Sequence, residues 1–426
     1  MGAIQAIRGT RDILPEEVGY WQHIEAIAQD ILGRAAYREI RTPIFEATEL
    51  FERGIGEATD VVSKEMYTFT TRGDKSITLR PEFTAGIVRS LIEHSLHAGG
   101  LQRLWATGPV FRYERPQAGR QRQFHQLDVE ILGSADPRAD VEVIALACDF
   151  LQALGLKNLR MDLNSVGTMS DRQHYRDALV AYFTPYKNEL DADSQDRLTR
   201  NPLRILDSKD ERTKVIVKDA PVLLDYLSDE SKQRFEQVQQ GLTDLGIDYA
   251  INPRLVRGLD YYTHTAFEIQ SDDLGAQATV CGGGRYDGLV AQLGGPDTPA
   301  IGWGLGIERL ILLLKQLQPT SSAAVDFYVV SRGDRAEAQS SVVAQTLRRL
   351  GFAVEVDLSG SAFGKQFKRA ARSGAAACLI LGDSEAENGT VQLKWLGSGN
   401  QVEMGQSDLA NQADELRQQL AQARGS

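Results

Sequence analysis

From Pro15 onward, the apolar side chains Val18, Trp21, Ile24, Ile27, Ala28, Ile31 and Leu32 recur with the 3.6-residue period of an amphipathic helix. Proline suits the first turn, where a helix leaves its N–H groups unpaired anyway. The pattern predicts a helix ending near Ala36. Tyr37–Phe45 then reads as a strand interrupted by Pro43, which cannot donate a ladder hydrogen bond and so predicts a sheet edge or an interface. Residues 79–86, LRPEFTAG, read as a helix start at Pro81-Glu82 with the helix running to about His94.

Residues 101–132 read as strand, polar loop, strand. On the returning strand Leu127, Val129 and Ile131 share one face and Gln126, Asp128 and Glu130 the other. A polar face of this kind ordinarily meets water. Here a loop at 114–122 carrying Arg115, Arg120 and Arg122 is placed to cover it. Gly155–Met161 reads as a helix end followed by a strand. Residues 167–246 are dense in charge and helix formers without a glycine cluster, which predicts a helical insertion or a peripheral helical pair with no ligand. Tyr262–Ile269 reads as a strand. Gly282–Gly284 then fit either a hairpin turn or a close approach of backbone and ligand. In residues 300–314 the glycines 302, 304 and 306 alternate before an apolar helix begins at Ile307.

Residues 318–324, QPTSSAA, form a small-residue linker. Beyond it, strands at 325–330, 353–357, 377–381 and 391–395 alternate with helices at 335–350, around 365–372 and at 409–423, the pattern of a small α/β domain. Lys365, Lys368, Arg369 and Arg372 fall at i, i+3, i+4 and i+7, so one helix face carries four cations, either solvated or turned to RNA.

A chain of 426 residues suggests two or three domains. No apolar run is long enough to predict a membrane span, and the N-terminus has no signal-type apolar region. Three scattered cysteines, Cys148, Cys281 and Cys378, fit a reducing compartment, so a cytoplasmic protein is expected. A net charge of −11 means that any nucleic-acid partner must be met by local basic surfaces.

The candidate chemistry is concentrated in two stretches. LVRGLDYYTHTAFE, residues 255–268, places Arg257, Asp260, Tyr261 and Tyr262 within six positions. The rigid guanidinium fork of Arg257 fits a carboxylate or a phosphate in two-point contact. A core strand with a preceding turn is the bland alternative. CGGGRYDG, residues 281–288, adds Tyr286. Elsewhere, Glu82 beside Thr84 suits a substrate ammonium group. His94 and His97 have metal-compatible spacing but no third ligand near by, so no metal site is expected. The glycines at 302–306 lack the acidic partner of a dinucleotide fingerprint, and no phosphate-loop lysine follows any glycine-rich stretch.

LVRGLDYY and GGGRYDGL resemble the two histidine-specific signatures of histidyl-tRNA synthetases. FRYERPQAGRQRQFHQ resembles motif 2 of class II synthetases in its histidyl form, and GLGIERL resembles motif 3. The first helix with the Pro43 strand resembles motif 1, a dimer-interface element. GKQFKRAARSGAAACLILGDSE resembles the anticodon-binding domain shared by several class II enzymes.

The resemblance implies an α+β catalytic domain built on an antiparallel sheet over residues 1–317, with a helical insertion at about 167–246. A C-terminal α/β anticodon-binding domain over 325–426 would follow. It implies adenylation of histidine by ATP with Mg²⁺, transfer to tRNA-His, and a homodimer. By the same resemblance Arg112 and Arg257 are catalytic. Glu82, Thr84, Arg112, Gln126, Glu130, Arg257, Tyr261, Tyr262 and Tyr286 would hold histidine. Arg112, Glu114, Phe124 and Arg309 would hold ATP. Arg115, Arg120, Arg122, Lys365, Lys368, Arg369 and Arg372 would meet tRNA. Phe83 departs from the family, which often has a small residue there. The alternative is a histidine-sensing regulatory subunit of ATP phosphoribosyltransferase, a paralogue without aminoacylation. That paralogue generally lacks the C-terminal domain and has degraded signatures.

Overall fold

The computed structural model describes residues 3–56, 59, 61–117, 119–206, 208–255, 261–317 and 325–425. The chain forms two compact units, Met1–Thr320 and Ser321–Ser426. The predicted linker at 318–324 lies outside the described residues.

In the first unit α1 (Pro15–Arg34) starts on Pro15, with Glu16 and Glu17 in its first turn where the helix dipole favours acid. The predicted strand around Pro43 divides. β1 (Arg38–Glu39) and β2 (Phe45–Ala47) lie on either side of Pro43 and in different sheets. α2 (Thr48–Ile55) leads to the hairpin of β3 (Tyr67–Thr70) and β4 (Ser76–Leu79), which pairs with β2. α3 (Thr84–Glu93) begins two residues after the Pro81-Glu82 start that LRPEFTAG predicts. Next come β5 (Gln102–Phe111), β6 (Gln123–Leu132), α4 (Pro137–Ala153) and β7 (Leu159–Ser165).

The stretch between β7 and β8 (Ala250–Ile251) is helical: α5 (Met169–Phe183), α6 (Ala192–Arg200), α7 (Glu211–Lys218) and α8 (Asp229–Asp244). Its helices do not share one core. Tyr175, Leu179, Phe183 and Leu198 pack with Leu223 and Leu227 in a cluster of their own. By contrast Phe235, Val238 and Leu242 of α8 join the main core with α1 and α4, so α8 is part of the body of the unit. The unit closes with β9 (Thr263–Ser271), β10 (Thr279–Arg285), α9 (Leu289–Gln292), β11 (Ala300–Gly306) and α10 (Ile307–Leu317).

Among the described residues, eight strands form one sheet in the order β1-β5-β6-β11-β10-β9-β7-β8. Its six central strands are antiparallel, and each short edge strand pairs parallel to its neighbour. The main core covers one face, where Leu127, Val129 and Ile131 of β6 meet α1, α4, α8 and α10. Gln126, Asp128 and Glu130 turn to the other face. Gly282–Gly284 sit inside β10 rather than at a turn, with the backbone of β11 too close for a side chain at Gly283 and that of β9 too close at Gly284. A Cβ on Gly283 would stand 2.2 Å from the Gly302 carbonyl oxygen.

The second unit has a five-stranded sheet among the described residues, ordered β13-β12-β14-β15-β16. Here β12 (Phe327–Arg332), β13 (Val354–Val356) and β14 (Ala377–Gly382) are parallel, and β15 (Thr390–Trp395) and β16 (Gln401–Gly405) are antiparallel additions. The helices are α11 (Asp334–Arg349), α12 (Phe363–Arg372), α13 (Asp383–Asn388), α14 (Asp408–Asn411) and α15 (Ala413–Gly425). The last predicted helix breaks in two at Gln412, and β16 and α13 are additions to the expected pattern.

Candidate active site

A cavity of about 260 Å³ opens on the polar face of β6, floored by β6, β11 and β10 and walled by the start of α3 and the β5–β6 loop. The floor exists because two alternating patterns meet in register. Gln126, Asp128 and Glu130 of β6 lie opposite Gly306, Gly304 and Gly302 of β11. A Cβ on Gly302 would fall 1.6 Å from Glu130 Oε2, and one on Gly304 would fall 2.8 Å from Asp128 Oδ1. Glycine at these positions leaves the carboxyl groups room to stand up into the cavity.

The closed end is polar and buried. Glu130 is buried, accepting from the Thr84 hydroxyl at 2.7 Å on Oε1 and from the Tyr286 hydroxyl on Oε2. Burial pushes its carboxyl up to about 8, against the two hydroxyl donors, with Glu82 adding repulsion. Glu82 caps α3. Its two oxygens accept from the backbone N–H groups of Thr84 at 2.7 Å and Ala85 at 2.9 Å, yet burial still raises its carboxyl above the ordinary range. Burial, followed by Glu130 and Glu82, holds the Asp128 carboxyl well above its usual range, while Arg112 and Arg80 oppose this. Tyr261 packs edge-on against Tyr286 at 5.5 Å and tilted against Tyr262 at 4.8 Å, and both Tyr261 and Tyr262 line the cavity.

The open end is cationic and aromatic. Arg112 is fixed by its Nε donating to the Pro81 carbonyl at 2.9 Å, with its guanidinium 5.4 Å from the Phe124 ring centre. Glu114 accepts from Arg120 at 2.8 Å. Arg309, at the start of α10, donates to the Thr279 carbonyl. Burial and the neighbouring Arg120 lower its hold on its proton. Glu308 beside it accepts the His125 backbone N–H at 3.0 Å, tying α10 to β6.

The structure therefore brings Glu82, Thr84, Arg112, Glu114, Arg120, Phe124, Gln126, Glu130, Tyr261, Tyr262, Tyr286 and Arg309 to one cavity. Arg257 and Asp260 lie outside the described residues. Arg115 is exposed on the loop, whereas Arg122 stacks on Tyr113 at 3.8 Å and donates to the Glu114 carbonyl at 3.2 Å. Phe83 turns away from the cavity into the apolar cluster behind α3, with the Arg80 guanidinium 4.1 Å from its ring centre. Its backbone is right-handed helical, so the position has no need of glycine.

Sequence reasoning passed over Asp128 and the β11 glycines as site residues. The signal for Asp128 was its place between Gln126 and Glu130 on the same strand face. In the second unit Lys365, Lys368 and Arg372 are exposed on α12, while Arg369 is bonded to Asp357 at 2.7 and 3.0 Å and to Ser361. Among the described residues, no group of three or more His, Cys, Asp and Glu is placed to hold a metal ion.

Comparison with known proteins agrees over the whole length. The family model described as histidyl-tRNA synthetase matches residues 9–310, and one described as anticodon binding domain matches residues 326–418. A histidine–tRNA ligase of Gloeothece citriformis is 71% identical over 427 residues, covering 100% of this chain and 99% of the relative. The crystal structure of apo S. aureus histidyl-tRNA synthetase superposes with a TM-score of 0.82 at 40% identity, covering 96% of this chain and 99% of that one. An ATP phosphoribosyltransferase regulatory subunit/histidyl-tRNA synthetase from Bacillus halodurans shares the fold with a TM-score of 0.63 at 20% identity, covering 90% of this chain and 99% of that one. With both signature-bearing units matched and full-length identity to ligases this high, the chain belongs to the histidyl-tRNA synthetase family.

Proposed function

We propose that this chain activates histidine with ATP and transfers the histidyl group to the 3′ end of tRNA-His. In the first step a histidine carboxylate oxygen bonds to the α-phosphorus of ATP, and the bond to the β-phosphate oxygen breaks, giving histidyl-adenylate and pyrophosphate. In the second step a hydroxyl of the terminal adenosine attacks the histidyl carbonyl and AMP leaves. ATP enters as its Mg²⁺ complex, the ion arriving with the phosphates. The carboxylate is already ionised at neutral pH, so the first step needs no protein base.

The observation that carries the reading is the polarity of the cavity. One end holds buried carboxyl groups and tyrosines suited to an ammonium and an imidazole; the other holds Arg112, Arg309 and Phe124, suited to phosphates and a purine. In this reading Arg112 and Arg257 stabilise charge that grows on the α-phosphoryl oxygens, Arg309 meets the γ-phosphate, and Glu114 receives the adenine amino group. Glu130, bonded to Tyr286, selects the imidazole with Tyr262, while Glu82, Thr84 and Gln126 face the histidine. Arg115, Arg120 and Arg122 meet the acceptor end of tRNA, and Lys365, Lys368 and Arg372 meet its distal arm.

A homodimer is part of the reading, supported by Ile44, Phe45 and Phe69, which stand 44%, 55% and 46% exposed around the small β2-β4-β3 sheet. A cytoplasmic site of action accompanies it; among the described residues no helix is long and apolar enough to cross a membrane. The decisive experiment is ATP–pyrophosphate exchange without tRNA, one amino acid at a time. Exchange with histidine alone supports the reading. Histidine binding without exchange would favour the regulatory paralogue.

A further inference from the structure

Asp128 takes no part in the activation chemistry above, yet it stands in the middle of the cavity floor. Among the described residues, the cavity has two buried side-chain atoms without a hydrogen-bond partner, Gln126 Oε1 and Asp128 Oδ2. Both are acceptors. Buried polar atoms are normally paired, and an unpaired carboxylate oxygen is costly. The two carboxyl groups at the closed end of the cavity differ: each oxygen of Glu130 and of Glu82 already accepts a hydrogen bond from the protein. Gly304 across the strand pair leaves space that a side chain would take from Asp128.

The position of Asp128 selects which part of a ligand it meets. Same-face residues on β6 follow one another at about 6.8 Å. Phe124 and Arg112 lie at the open end, Gln126 and Asp128 come next, and Glu130 with Tyr286 forms the closed end. In an aminoacyl-adenylate the groups run base, phosphate, carboxyl carbon, α-carbon with its ammonium, and side chain. Laid along β6 with its base at Phe124 and its ring at Glu130, the ligand brings its ammonium to Gln126 and Asp128. An ammonium has three donors and no acceptor, the complement of two orphaned acceptors.

The geometry points to Asp128 as a further substrate-binding residue, accepting a hydrogen bond through Oδ2 from the α-ammonium of bound histidine beside Gln126. This inference rests on the histidine-activating reading of the same cavity.

Calorimetric titration of the full chain tests it with three ligands: histidine, histidinol, which keeps the ammonium but lacks the carboxylate, and imidazole-4-propionate, which lacks the ammonium. Asp128→Asn should weaken histidine and histidinol by about 10- to 100-fold, the scale of a hydrogen bond to a charged group. It should leave imidazole-4-propionate and ATP within about twofold of wild type. Asp128→Ala should show the same split and serves if the Asn variant folds poorly. Equal weakening of all three ligands would mean a structural role and overturn the assignment, as would unchanged histidinol binding. A wild-type chain that binds neither histidine nor histidinol overturns the activation reading itself, and the Asp128 role with it.

Discussion

Glu130 illustrates what burial does to a single carboxyl group. Its carboxyl, pushed up to about 8 chiefly by desolvation, makes the ligand-free pocket hold a proton at neutral pH. The sign for stability follows from linkage. Between the ordinary carboxyl range and about 8, the folded state binds more protons at Glu130 than the unfolded state does, so its contribution to stability is lost as pH rises through that window. Glu130→Gln should therefore flatten the fall in melting temperature of the ligand-free chain between pH 5 and about 8, relative to wild type. An identical pH profile in both proteins would remove Glu130 as its source. Glu130→Ala leaves the Thr84 and Tyr286 hydroxyls without their acceptor. Pockets built to hydrogen-bond their substrate discriminate by about 10⁴–10⁵, so the KM for histidine in pyrophosphate exchange should rise strongly while that for ATP changes little. Unchanged kinetics would place Glu130 outside the site.

At the scale of elements, β6 and β11 carry the cavity together, and this pairing explains what could be read in the sequence. The period-2 alternation of residues 126–131 is local, so the strand and its two faces were legible from residue types alone. The loop arginines at 114–122 marked the polar face as covered; that α3 and β9–β11 also wall it was not legible, because those elements come from distant parts of the chain. The same distance effect misled the reading of Gly282–Gly284 as a possible hairpin turn. Three glycines in a row carry a local turn signal, but here β11 crowds Gly283 and β9 crowds Gly284 within the sheet. Pro43 was legible as a strand breaker; that the pieces on either side would join different sheets was not. Catalytic-type residues were legible because motifs are contiguous, whereas for Asp128 the strand alternation marks the face and the orphaned oxygen is seen only in three dimensions. The pairing also makes a sharp prediction. Gly302→Ala would drive a methyl group into Glu130 and to within 2.6 Å of the Val129 carbonyl oxygen. Overpacking of this kind costs about 1–3 kcal/mol or more. The variant should melt several degrees lower and lose histidine-dependent exchange. A variant with wild-type exchange would contradict the register drawn here between Gly302 and Glu130.

At the scale of the whole molecule, the net charge of −11 and a polyanionic partner have to be reconciled by local surface. On α12 the four cations divide by what holds them. Arg369 Nε and Nη2 reach both oxygens of Asp357, a buried carboxylate that burial pushes up but this bond and Ser359 together hold well below its ordinary range. Arg369 therefore acts chiefly within the fold, and Arg369→Ala should destabilise the C-terminal unit by leaving Asp357 without its guanidinium. Lys365 and Lys368 are exposed and available to phosphate oxygens. Each phosphate neutralised releases counterions, and removing one such contact lowers the log–log salt slope of binding by about 1. The double variant Lys365→Ala/Lys368→Ala should keep its melting temperature and its pyrophosphate exchange, since neither depends on this face. Its tRNA affinity should fall at low salt and show a slope smaller by about 2. Equal slopes in the variant and the wild type would mean that these lysines are a solvated face, leaving Arg372 and the loop arginines at 115–122 to meet the RNA.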